Sequence, residues 1–171
     1  MSQVIRQRRG RDRWLNPYHG GVASTSNAVT ATRVYLELFA VNMPVVVDAI
    51  SYLVGGTSQG QIRVGIYKAT AEDTAAGGTL MVSSAATAQG STNVPQTLSL
   101  ANTLLTPGRY YIALHFEDGA GTVLRQSNTN QVNGWTQFFD QTFASGLPST
   151  VPAVTNSASV VPGARVRVVQ P

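Results

Sequence analysis

Residues 104–126 read LLTPGRYYIALHFEDGAGTVLRQ, and their alternation decides what kind of fold the chain can form. Pro107 and Gly108 make a turn. From there Tyr110, Ile112, Leu114 and Phe116 recur at every second position. A period of two belongs to a β-strand, whose successive side chains point to opposite faces. The other face then carries Arg109, Tyr111, Ala113, His115 and Glu117. EDGAG at 117–121 supplies a turn, so the whole segment is predicted to be a β-hairpin.

The same signal recurs on both sides of this segment. TRVYLELFAV (32–41) and PVVVDAISYLV (44–54) come first, before a break at GGTSQG. QIRVGIYKA (61–69) alternates cleanly, with Ile62, Val64 and Ile66 facing one way and Arg63, Gly65 and Tyr67 the other. TLMVSS (79–84), VPQTLSLA (94–101) and GARVRVVQ (163–170) follow the same grammar, the last setting Val166 and Val168 against Arg165 and Arg167. GWTQFFDQTF (134–143) reads as a strand or as a long loop packing its aromatics over one end. No helical period is sustained. The spacing predicts an all-β antiparallel sandwich of about eight strands in a single domain over 29–171.

Residues 1–28 read differently, as an extended N-terminal arm ending in GGVASTSNA. Fully extended, such an arm reaches roughly 90 Å. It carries Arg6, Arg8, Arg9, Arg11 and Arg13, followed at once by Trp14 and Tyr18. Residues 1–13 have a net charge of +4 and the remainder of the chain is neutral, so the basic character belongs to the arm. Five arginines are suited to phosphates or to a carboxylate-rich protein surface, where the guanidinium fork pairs bidentately. The aromatic anchors favour docking into a protein groove.

Groups that do chemistry are sparse. The chain has no cysteine and no G-x-S-x-G elbow, and its only histidines are His19 and His115. His115 and Glu117 share a strand face, but a third ligand is missing nearby, and a solvated polar face explains them. The adjacent pairs Glu72–Asp73 and Glu117–Asp118 fall in turns, not across a cleft. GGTSQGQ at 55–61 lacks the lysine of a phosphate loop. The expectation is a non-enzyme with no cofactor and no metal. No apolar run reaches membrane-spanning length, and no secretory signal is recognised.

DAISYLVGGTSQGQIRVGIYKA (48–69) and LLTPGRYYIALHFEDG (104–119) resemble a β-sandwich module of tailed-bacteriophage virion proteins. The matching positions are Asp48, Arg63, Gly65, Ile66 and Tyr67, then Gly78 and Leu80, then Leu105, Pro107, Gly108, Tyr110, Tyr111 and Ala113. The resemblance covers residues 33–125. It implies a jelly-roll-like sandwich, usually trimeric, used in tail fibres, baseplates and head decorations, with no catalytic set to carry over.

The leading expectation is therefore a phage virion accessory protein, a head decoration or a short tail or neck fibre. It would assemble in the host cytoplasm and dock on a major capsid, neck or tail protein through its arm. A second reading is a host-receptor module that stacks glycans on an outward face of Tyr67, Arg109, Tyr111, His115 and Trp135. The same tyrosines also fit packing on a neighbouring subunit or on covering loops. A third is a capsid subunit whose arm neutralises nucleic acid.

Overall fold

The computed structural model describes residues 13–15, 25–71, 74–125, 136–157 and 163–169. Among them the protein is a β-sandwich of two antiparallel sheets packed together, with no α-helix. The strands are β1 (Arg13–Leu15), β2 (Thr25–Ala28), β3 (Arg33–Val41), β4 (Val45–Leu53), β5 (Gln61–Lys68), β6 (Thr79–Ser83) and β7 (Thr87–Ala88). They continue with β8 (Pro95–Leu105), β9 (Gly108–Phe116), β10 (Thr122–Arg125), β11 (Thr136–Asp140), β12 (Thr155–Ser157) and β13 (Ala164–Val169). One sheet has the order β1-β13-β4-β8. The larger runs β12-β11-β3-β9-β5-β6, with β7 also on β5, and β10 pairs with β2 in a separate ribbon.

The two inner faces meet in one core. Tyr35 and Phe39 from β3, Ile50 and Tyr52 from β4, and Ile62, Val64 and Ile66 from β5 enter it. The alternate residues Tyr110, Ile112, Leu114 and Phe116 of β9 do the same. Phe116 meets Tyr35 and Tyr52 edge-on at ring separations of 6.3 and 6.0 Å, the geometry that the ring quadrupoles favour. The inward faces of β5 and β9 are thus those their alternation predicts.

The predicted hairpin at 104–126 does not form. β9 pairs with β3 along one edge and with β5 along the other, so no edge is left for the chain that follows it. After Phe116 the backbone turns away, Asp118 accepting the Ala120 N–H at 2.7 Å, and β10 pairs with β2 instead. The strand at 94–101 is longer than expected and runs on to Leu105. Of GWTQFFDQTF, residues 136–140 form β11 and Phe143–Ser145 a 3-10 turn, so both alternatives apply to different halves.

The expected arm is in part a piece of the body. β1 lies antiparallel on β13 with Trp14 opposite Arg167, and β2 lies on β10. Among the described residues there are thirteen strand segments where about eight are expected, the excess being mostly short pieces such as β1, β2, β7 and β12.

The burial pattern makes a direct stability prediction. Replacing fully buried Ile112 by Ala is expected to cost about 2–5 kcal/mol. Leu104→Ala, at a side chain 57% exposed, is expected to cost under about 1 kcal/mol. Urea unfolding midpoints measure both, and equal losses would contradict this core assignment.

Candidate functional site

The residues expected to form an outward ligand face do share one face of the large sheet. Tyr67 and Tyr111 are cross-strand partners, as are Arg63 and His115. The face is nevertheless closed, which corrects the expected exposure. Tyr67, Tyr111 and His115 are 0–1% exposed, and only Arg109, at the start of β9, stands in solvent. Trp135 lies outside the described residues.

The cover is the segment 141–154, which crosses the outer face after β11. It is fastened by three side-chain donors that rise from the sheet. The Tyr67 hydroxyl donates to the Pro148 carbonyl at 2.8 Å, and Arg63 Nη1 donates to the Phe143 carbonyl at 2.9 Å. His115 Nε2 lies 2.9 Å from the Gln141 carbonyl. A carbonyl only accepts, so that nitrogen carries the proton, and the neutral ring has a bare Nδ1.

Apolar contacts fill in around these bonds. Val34, Leu36, Tyr67, Ala75, Tyr111, Ala113, Phe139 and Val151 form a second core, with Leu147 and Val154 packed against it. The Phe143 ring sits 5.0 Å from the His115 ring and 4.8 Å from the Arg63 guanidinium. Gly65 lets the cover come close, because a Cβ would lie 2.6 Å from Leu147 Cδ1 and 3.0 Å from the Val82 carbonyl, so that the leucine would have to shift. Gly146 has φ of 74°, a conformation that glycine adopts at no steric cost. At the far end the cover joins the edge of β6, with the Leu80 N–H bonded to the Ser149 carbonyl at 2.9 Å. Gln137 anchors the flank by accepting from the Ala75 N–H at 2.6 Å.

Burial disfavours the charged form of His115 and lowers its pKa from the usual 6.5. The bond to Gln141 opposes that shift, and the nearby positive charge of Arg63 reinforces it. Burial likewise raises the Tyr67 phenol, keeping it a neutral donor. The tyrosines and the histidine are therefore structural fasteners. Of the alternatives weighed for these tyrosines, packing under a covering loop is the one the structure shows, with residues 141–154 as the cover. The available signal was the aromatic run ending in Phe143.

A second feature is the root of the arm. Ala164, Val166 and Val168 of β13 and Leu15 of β1 face the core, which leaves Trp14, Arg165 and Arg167 on the outer face of the smaller sheet. The Arg165 guanidinium sits 4.4 Å above the half-buried Trp14 ring. Beside them Arg167 grips Asp48 bidentately, at 2.7 and 2.8 Å. A register shift at Val47/Ala49 leaves Asp48 without a strand partner and directs it to this pair. Trp14 thus fastens the arm to its own body rather than standing free as an anchor. Arg13 forms the β1 backbone pair with Val168. Arg6, Arg8, Arg9, Arg11 and Tyr18 lie outside the described residues. Among the described residues no group of three or more His, Cys, Asp or Glu is arranged to hold a metal ion, and no helix is long and apolar enough to cross a membrane.

No family model, curated protein or solved structure matches the chain. Fold and site define an all-β sandwich whose outer aromatic face is closed by its own chain and whose basic N-terminal stretch joins the body at a sheet edge.

The His115 arrangement predicts a pH dependence. A histidine harder to protonate in the folded state than in the unfolded one leaves stability intact above about pH 6.5 and erodes it as the pH falls below that value. His115→Gln retains a donor for Gln141 and removes the titration. Urea unfolding at pH 8 and pH 5.5 is expected to show a smaller pH difference in the variant than in the wild type. An unchanged difference would place the titrating group elsewhere.

Proposed function

We propose that this protein is a non-enzymatic structural subunit of a tailed-phage virion. It is an oligomeric accessory protein of head, neck or tail, attached to another virion protein by the arginine-rich stretch before β1. The observation that carries this reading is the fastening of β1 on β13, with Trp14 beneath Arg165. A firmly seated strand directly follows Arg6, Arg8, Arg9 and Arg11, so a load on those arginines is transmitted to the sheet. The resemblance of residues 33–125 to virion modules supports the same reading.

The glycan-binding alternative is weaker, because Tyr67 and Tyr111 offer no exposed ring for a sugar to stack on. The nucleic-acid alternative rests on the five arginines at positions 6–13. Arg165 and Arg167 add little to it, since Trp14 and Asp48 already engage them.

Two truncations test the proposal. Removing residues 1–12 is expected to leave the unfolding free energy within about 0.5 kcal/mol of the full chain and to abolish incorporation into particles. Removing 1–20 also deletes β1 and is expected to lower stability. DNA titrations over a range of salt are expected to show weak binding that the shorter truncation does not change. Tight binding with a log–log slope of roughly −4 to −5, lost with residues 1–12, would contradict protein docking and favour the capsid reading.

A further inference from the structure

The cover is fastened differently at its two ends. Over residues 148–151 the fastenings are neutral. The Tyr67 hydroxyl donates to the Pro148 carbonyl, the Leu80 N–H to the Ser149 carbonyl, and the Val151 N–H to the Gly78 carbonyl. The stretch 142–146 instead lies over a cationic donor and a titratable one. Arg63 Nη1 holds the Phe143 carbonyl, and His115 Nε2 holds the Gln141 carbonyl just ahead of it.

This stretch has a fixed point on either side. The Gln141 N–H donates to the Thr32 carbonyl at 2.6 Å, continuing the pairing of β11 with β3. At the other end Gly146, with φ of 74°, is a residue whose backbone turns freely. Between them the Ser145 and Gly146 N–H groups donate to the Thr142 and Phe143 carbonyls, at 3.1 and 3.0 Å. The piece is therefore one self-bonded turn, able to leave the sheet without breaking a strand.

Beneath it, Arg63 and His115 are cross-strand partners, and the Phe143 ring packs against both. His115 Nδ1 is buried and has no hydrogen-bond partner. A proton there would set a second cation beside Arg63, out of water and with no acceptor. The surroundings do not neutralise it. Residues 141–154 contain no Asp, Glu, Lys, Arg or His, and Val34 and Leu36 of β3 face the site with apolar side chains. Tyr67 and Tyr111 are phenols, and Arg109 at the far end of β9 is a further cation. The carboxylates bordering this face are Glu117 and Asp140, and both are engaged. Glu117 Oε2 accepts the Gln61 N–H at 3.0 Å, and Asp140 faces Arg33 at 3.6 Å.

We propose that residues 142–146 are an acid-released latch: protonation of His115 lifts them from the sheet while residues 148–151 stay on β6. Release brings water to the new imidazolium and to Arg63 together. The neutral fastenings at the β6 end do not change over this range, so the opening is local and Gly146 is its hinge.

Residue-resolved amide hydrogen exchange by NMR at pH 7.5 and 5.0, each corrected for the intrinsic rate, gives the test. A three-residue turn has no stability of its own, so the Ser145 and Gly146 amides report release. Their opening constant is expected to rise severalfold at pH 5.0, with a ceiling of about 30-fold when only the released form takes the proton. The Leu80 and Val151 amides are expected to change less than about twofold. His115→Gln keeps a donor for Gln141 and is expected to abolish the rise. Arg63→Gln removes the neighbouring cation and is expected to reduce it, and serves if circular dichroism shows His115→Gln unfolded. Equal protection at both pH values would overturn the proposal. So would loosening shared by Leu80 and Val151, or a rise undiminished in the folded variant.

Discussion

β9 is closed on all four sides, and the rest of the architecture follows from that. Its edges are hydrogen-bonded to β3 and β5, and its two faces carry Tyr110, Ile112, Leu114 and Phe116 on one side and Tyr111, Ala113 and His115 on the other. The inner set meets the second sheet. The outer set needs a cover of its own, since an aromatic surface of this size facing water would forfeit roughly 1.5–3 kcal/mol per large side chain. The segment 141–154 supplies that cover. It would also bury backbone carbonyls, and unpaired carbonyls in such a place are costly. His115, Arg63 and Tyr67 resolve this by donating to Gln141, Phe143 and Pro148.

Four arginines in the body act as fasteners. Arg63 holds the cover, Arg167 holds the bulge at Asp48, and Arg165 holds Trp14. Arg33 does similar work at the end of β3, 4.1 Å above the Phe138 ring and 3.6 Å from Asp140. The basic surplus therefore lies in the N-terminal stretch, ahead of the strand that fixes it to the sheet.

Much of this was legible in the residues. Alternation in 61–69, 108–116 and 163–170 gave the strands and the correct inward faces, because period two is local information. What it does not contain is the identity of the neighbour. LLTPGRYYIALHFEDGAGTVLRQ has the grammar of a hairpin, but β3 had already claimed the edge that a hairpin needs, and β3 lies some seventy residues earlier. Alternation sets Tyr67, Tyr111 and His115 on the outward face, and they do point away from the main core. Their burial depends on a segment over 25 residues downstream of His115, whose contact residues Phe143, Leu147, Val151 and Val154 follow no strand alternation. Trp14 was legible as an anchor, yet its partner Arg165 is far along the chain and becomes its neighbour only through strand pairing.

The central claim is that the outer face of the large sheet is sealed by residues 141–154. Hydroxyl-radical footprinting read by mass spectrometry tests it most directly, with oxidation rates of native protein compared with those in urea. The account predicts that Tyr67, Tyr111 and His115 are protected as strongly as Tyr110 in the main core, while exposed Met43 gains no protection. Native-state oxidation of Tyr67 and Tyr111 at their unfolded rates, with Tyr110 still protected, would contradict it and return the face to solvent.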